Sequence, residues 1–136
     1  MGSGGLIVMD DSKCMVNLAK FYLDFTVDES CGKCTPCRIG TKRMLEILTK
    51  ICDGKADIQD LEKLEQLAIN ICRTAVCGLG QTAPNPVLST LKYFREEYLD
   101  HIKHKTCKVG ECKALTNISI NPQKCKGCGI CKRNCP

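Results

Sequence analysis

Three stretches of this sequence carry cysteines at the spacing of metal ligands, and the tightest is Cys31-Gly32-Lys33-Cys34-Thr35-Pro36-Cys37. Three thiols at Cys-x2-Cys-x2-Cys spacing share one short loop and lie too close in sequence to pair with one another. The pattern suits three corners of a cubane iron–sulfur cluster, whose fourth ligand comes from elsewhere in the chain. The competing chemistry is structural zinc, which also takes four thiolates but draws them from two separate Cys-x2-Cys pairs. Gly32 permits the sharp bend between the first two thiols. Thr35-Pro36 reads as an N-cap followed by proline at the first helical position, so a helix is predicted to begin at the site. Its free N–H groups and positive dipole end would then face the sulfurs.

The second stretch is Cys125-x2-Cys128-x2-Cys131-x3-Cys135-Pro136, the bacterial ferredoxin run and the most specific pattern in the chain. In that pattern the first three cysteines hold one [4Fe–4S] cluster and the fourth ligates a neighbouring one. Cys125, Cys128 and Cys131 are therefore expected to serve one cluster and Cys135 a further one. The matching second run would lie beyond Pro136, so the segment reads as half of a ferredoxin. The third stretch is Cys107-x4-Cys112, preceded by His101 and His104. Two thiols with His104, and with His101 in reach, make a donor set for tetrahedral zinc; the alternative is that these are solvated tail residues.

Elements must position these groups, and the totals limit what they are. The chain has 136 residues, enough for one domain and a small appendage, and its 13 cysteines are an odd number clustered in Cys-x2-Cys runs, which argues for metal over disulfides. The net charge of +5 is uneven: from His101 onward there are eight Lys or Arg against the single acid Glu111. With no Trp and few aromatics a stacking platform for nucleic acid is excluded, and clusters with thiolate ligands would offset part of the basic tail. Nothing resembles an export signal or a membrane span, so a reducing, cytoplasmic setting is expected. Gly2-Ser3-Gly4-Gly5 lacks the spacing of a phosphate loop, and Leu6–Met9 reads as a strand remnant.

Four helices are predicted. The first is capped by Asp11 or Ser12, with Met15, Leu18, Ala19, Tyr22 and Thr26 on one face, Val16 and Leu23 beside them, and Cys14, a buried thiol by type, at its start. The second runs from about Pro36 to Cys52 with Met44, Ile47, Leu48 and Ile51 as its stripe, and ends at Asp53-Gly54. Asp57 caps the third, which carries Leu61, Leu64, Ala68 and Ile71; Cys52 and Cys72 fall near these stripes and are expected in the core. Two antiparallel helices return the chain to the level of the first loop, so Cys77, in a glycine-flanked loop, faces Cys31–Cys37 as the fourth ligand. Asn85-Pro86 opens the fourth helix, with Val87 or Leu88, Leu91, Phe94, Tyr98 and Ile102 inward. The expected fold is mainly α. Residues 1–10 are the remnant of something upstream, 11–103 a small four-helix bundle with a [4Fe–4S] cluster at one end, and 104–136 a cysteine-rich linker with an incomplete ferredoxin-like tail.

Glu29-Ser30-Cys31-Gly32-Lys33-Cys34-Thr35-Pro36-Cys37-Arg38-Ile39-Gly40-Thr41, followed by Cys77-Gly78-Leu79-Gly80-Gln81-Thr82-Ala83-Pro84, resembles the flavin-bearing, NADH-oxidising subunit of complex I-type NADH dehydrogenases. The resemblance extends from Gly2–Asp10 through the bundle. The ferredoxin tail is similar to the version found in NAD(P)-linked, electron-bifurcating [FeFe]-hydrogenases. It implies that Cys31, Cys34, Cys37 and Cys77 hold one [4Fe–4S] cluster. It also implies an upstream domain for FMN and NAD(P)(H) outside this segment, so that the segment alone would relay single electrons and not transfer hydride. Implied partners are other subunits of a multi-subunit oxidoreductase, among them a thioredoxin-like [2Fe–2S] subunit and an [FeFe]-hydrogenase subunit. The competing function is a non-catalytic, cysteine-rich zinc module that docks partners.

Overall fold

A computed structural model describes residues 8–116 and 120–134; Leu6, Ile7 and Cys135 lie outside the described residues. Helix α1 spans Met15–Asp28. A π-helical turn, Pro36–Gly40, runs directly into α2, Thr41–Cys52. Helix α3, Ile58–Thr74, is followed by the short α4, Gly78–Thr82. The last long element is broken: α5, Asn85–Tyr93, then α6, Arg95–Leu99, then a second π-helical turn, Asp100–His104. A 3-10 turn at Lys113–Leu115 and the small α7, Ile130–Asn134, complete the described elements, none of which is a strand. Val8 and Met9 are irregular, against the expected strand remnant.

Local rules explain most boundaries. Asp57 and Asp60 form a reciprocal capping box at the start of α3, with Asp60 N–H donating to Asp57 Oδ1 at 2.9 Å. Such a cap contributes about 1 kcal/mol. Helix α2 ends as expected at Asp53-Gly54, with Gly54 at φ +67, a conformation open to glycine. Packing then closes a ring: α1 against α2 and α5, α2 against α3, α3 against α5. The centre is filled by Val16, Ala19 and Leu23 of α1, Met44, Leu48 and Ile51 of α2, Leu61, Leu64 and Ile71 of α3, and Val87 with Tyr98. Each large side chain so buried contributes roughly 1.5–3 kcal/mol.

The packing departs from expectation at several points. Helix α1 turns Val16, Ala19 and Leu23 inward and leaves Met15, Leu18, Tyr22 and Thr26 half-buried, because its apolar residues wrap most of the way round and periodicity alone does not choose a side. The fourth helix breaks at Phe94, whose φ of −127° is non-helical, so its ring faces out. Thr90 Oγ1 and the Tyr98 hydroxyl, 2.8 Å apart, bridge the break. Cys72 is only half-buried and lies 4.0 Å from Asn85 Oδ1, while Cys52 is in the core. The core also runs past residue 103: Cys107, Cys112 and Leu115 are buried, and Leu115 rests on Gly54, where any Cβ would collide with it.

Candidate metal centres

Two cysteine-rich sites stand at opposite ends of α1. The first lies beyond its C-terminus. Gly32 takes φ +72 and the following residues lead into the π turn, a geometry that recurs at functional sites. Cys37 is buried within that turn; its carbonyl accepts from Thr41 Oγ1 at 2.6 Å, and Ser30 Oγ lies 3.3 Å from its sulfur. Cys34 is half-buried and Cys31 exposed. The segment after α3 comes back against this loop. The backbone N–H of Val76, and next that of Cys37, stabilise the Cys34 thiolate and lower its pKa. Gly80 packs so closely on the loop that an added Cβ would stand 3.2 Å from Cys37 Cβ and 2.7 Å from Ala75 Cβ. Gln81 ties the turn down by donating to Ala75 O at 3.0 Å. Cys77, between these contacts, is the exposed N-cap of α4. The thiols are free, one already dressed by backbone N–H, and two face outward. That donor set fits a thiolate-ligated cluster, which is larger than a single ion and holds its ligands farther apart.

The second site is built from distant parts of the chain and is fully enclosed. Cys14, the residue before α1, His101 of the second π turn, Cys107 and Cys112 are all buried, and their donor atoms lie within 4.8 Å of one another. Cys14 Sγ and Cys112 Sγ are each 3.4 Å from His101 Nε2 and 3.9 Å from one another. Zinc–sulfur bonds of about 2.3 Å and zinc–nitrogen bonds of about 2.0 Å in a tetrahedron require sulfur–sulfur and sulfur–nitrogen separations of about 3.8 and 3.5 Å. The cage therefore matches a single tetrahedral ion of Cys3His type. His101 Nδ1–H donates to Glu97 O at 2.7 Å, which leaves Nε2 as the lone-pair donor facing the thiols.

Protons occupy this cage when no ion does. The bond to Cys112 and burial push the Cys14 thiol well up. His101 is raised to about 9: burial opposes its charge, but the bonds to Cys14 and Glu97 O outweigh it. Cys107 falls to about 7, because N–H groups of Cys112, Glu111 and Val109 overcome the cost of burial. An incoming dication must displace these protons.

Of the zinc ligands expected from spacing, Cys107 and Cys112 are in the cage and His104 is not. His104 is exposed, and His101 takes the histidine position. Cys14 joins them, beyond its expected role as a buried thiol. The available signal was its place at a helix start where an oxygen side chain is the rule. Cys125, Cys128 and Cys131 are exposed, in a segment 120–134 that is exposed throughout.

Residues 17–101 match the family described as the NADH-ubiquinone oxidoreductase-F iron-sulfur binding region. The chain belongs to that family. It is 57% identical over its whole length to the NADP-reducing hydrogenase subunit HndC of Solidesulfovibrio fructosivorans, 28% of which it covers. It is 41% identical to an NADH-quinone oxidoreductase subunit of Streptomyces coelicolor, over 84% of the chain and 25% of that protein. The crystal structure of an NAD+-reducing [NiFe]-hydrogenase in the H2-reduced state superposes with a TM-score of 0.67 and 33% identity, over 71% of this chain and 16% of that one. The chain thus spans about a quarter of the length of the curated relatives it matches. Among the described residues no helix is long and apolar enough to cross a membrane.

Proposed function

We propose that this chain is the iron–sulfur relay segment of a cytoplasmic, NAD(P)-linked oxidoreductase subunit. Cys31, Cys34, Cys37 and Cys77 hold one [4Fe–4S] cluster, which when bound supplies a one-electron carrier. The residues around it hold and tune it. Val76 N–H favours thiolate at Cys34, Gly80 keeps the 75–80 turn within reach of Cys37, and Ser30 supplies a further polar contact to sulfur. Cys125, Cys128 and Cys131 serve a second cluster and Cys135 a further one. FMN and NAD(P)(H) belong to the remainder of the parent subunit, whose partners are other redox subunits.

The observation that carries this reading is the close seating of the 75–80 turn on Cys34 and Cys37. Anaerobic reconstitution of Cys77→Ala, with iron counting and EPR, tests it. Loss of about four irons and of the reduced-cluster signal is expected, and an unchanged cluster would remove Cys77 from the site. The competing zinc chemistry is favoured by one specific observation, the Cys3His cage. It applies to Cys14, His101, Cys107 and Cys112, where a zinc ion would staple the start of α1 to the entrance of the tail and leave the relay to the other end.

A further inference from the structure

The start of α1 is satisfied in an unusual way. Cys14 occupies the N-cap position, and its sulfur is turned into the buried cage. Two carboxylates from later in the chain take its first backbone N–H groups. Cys14 N–H donates to Glu111 Oε2 at 2.8 Å, across 97 residues of sequence, and Met15 N–H donates to Glu97 Oε2 at 3.0 Å, across 82. Glu97 also accepts the His101 Nδ1–H on its backbone carbonyl at 2.7 Å. A single residue therefore orients both the helix start that bears Cys14 and the imidazole opposite it.

We infer that Glu97 and Glu111 are positioning residues for the buried Cys/His site, holding the backbone at the start of α1 from across the fold so that the Cys14 side chain is aimed at a divalent cation in the cage. The inference rests on the metal reading of that cage. The first free N–H groups of a helix need acceptors, and an ordinary N-cap supplies one from its own side chain. That side chain reaches only the second or third helical N–H, so the N–H groups of Cys14 and Met15 need acceptors from elsewhere. Glu111 and Glu97 supply them, and they sit at the positive end of the α1 dipole, where negative charge is favoured. Because Glu111 adjoins Cys112, the capping bond and the metal ligand fold into place together. Outer groups that orient metal ligands typically affect affinity by about 10–100-fold when removed.

Cobalt(II) is the probe, since its near-ultraviolet charge-transfer band grows with the number of thiolates bound. Binding is read on the 136-residue chain as the part lost in Cys112→Ala, which disables this site alone. In Glu97→Ala/Glu111→Ala, affinity is expected to fall about 10–100-fold, and the band per bound cobalt by about a third as three thiolates become two. Glu97→Gln/Glu111→Gln should recover most of both, because an amide oxygen accepts the same N–H bonds. Should the alanine pair fail to fold, Glu111→Ala alone carries the test, with Glu97 still capping Met15. An alanine variant that binds as tightly with an undiminished band would overturn the inference, and so would a glutamine pair as weak as the alanine pair. Absence of Cys112-dependent cobalt in the unaltered chain would instead overturn the metal reading itself, and the inference with it.

Discussion

The two ends of α1 gather cysteines in opposite ways. At its C-terminal end three of the four cysteines come from one loop of seven residues, and two of the four are exposed. At its N-terminal end four donors come from residues 14, 101, 107 and 112 and are all buried. The fourteen residues of α1 put about 21 Å between the ends. A cluster brings its own bulk and charge, so the protein need only present a loop with N–H groups and an open side. A single ion fills less than a side chain does, so its cage must be closed by packing elements that already meet. One end therefore depends on local backbone and the other on the tertiary fold.

The largest expected effect follows from that difference. Binding to the folded state alone stabilises by about 4 kcal/mol when the free ion is a thousandfold above its dissociation constant. Stripping zinc from the closed end should thus lower the melting temperature of a bundle this size by roughly 15 °C. Removing iron from the open loop should lower it by much less, because Cys31 and Cys77 tie few core groups together. Calorimetry after a zinc-selective chelator, and separately after iron removal, measures the two. Equal shifts would break the comparison.

An intermediate effect is expected at Gly80. Alanine there puts a Cβ 2.7 Å from Ala75 Cβ and 3.2 Å from Cys37 Cβ, neither of which is a flexible side-chain end. The 75–80 turn must shift, at a cost of about 1–3 kcal/mol. Urea denaturation should show that loss together with faster iron release to a chelator, while zinc content stays unchanged. A Gly80→Ala chain whose cluster is as inert as the parent's would separate this turn from the site.

The sequence was most legible where ligands are neighbours. Cys31, Cys34 and Cys37, and the Cys125–Cys135 run, are proposed as ligands from spacing alone, and Cys77 from counting helices, with Gly80 of the same turn seated against Cys37. The Asp57 cap and the Gly54 stop are equally local. What escaped was set by phase and by distance. The apolar residues of α1 do not choose a side until α2 and α5 pack on it. Phe94 follows a helical inward pattern that the chain abandons at that very residue. Cys14 lies 87 residues or more from its partners, and no spacing rule reaches so far.

The smallest expected effect is the one that sharpens the closed end most. His101 and His104 are three residues apart on the same turn, and spacing to Cys107 favours His104 as the ligand. The break at Phe94 and the π turn at Asp100–His104, whose hydrogen bonds span one residue more than those of an α-helix, shift the helical phase so that His101 faces inward. His101 is 2% exposed and its ring is held by Glu97 O, whereas His104 faces solvent just before Lys105 takes a left-handed φ of 49°. His101→Ala removes a ligand and leaves a void, so zinc should be lost. His104→Ala touches neither the cage nor the core, and surface changes of that kind stay within about 0.5 kcal/mol. Zinc per chain and melting temperature, measured on the two variants side by side, are expected to differ sharply, with His104→Ala indistinguishable from the parent. Zinc loss in His104→Ala and retention in His101→Ala would mean that the loop from Lys105 to Cys112 folds over the opposite face of the turn.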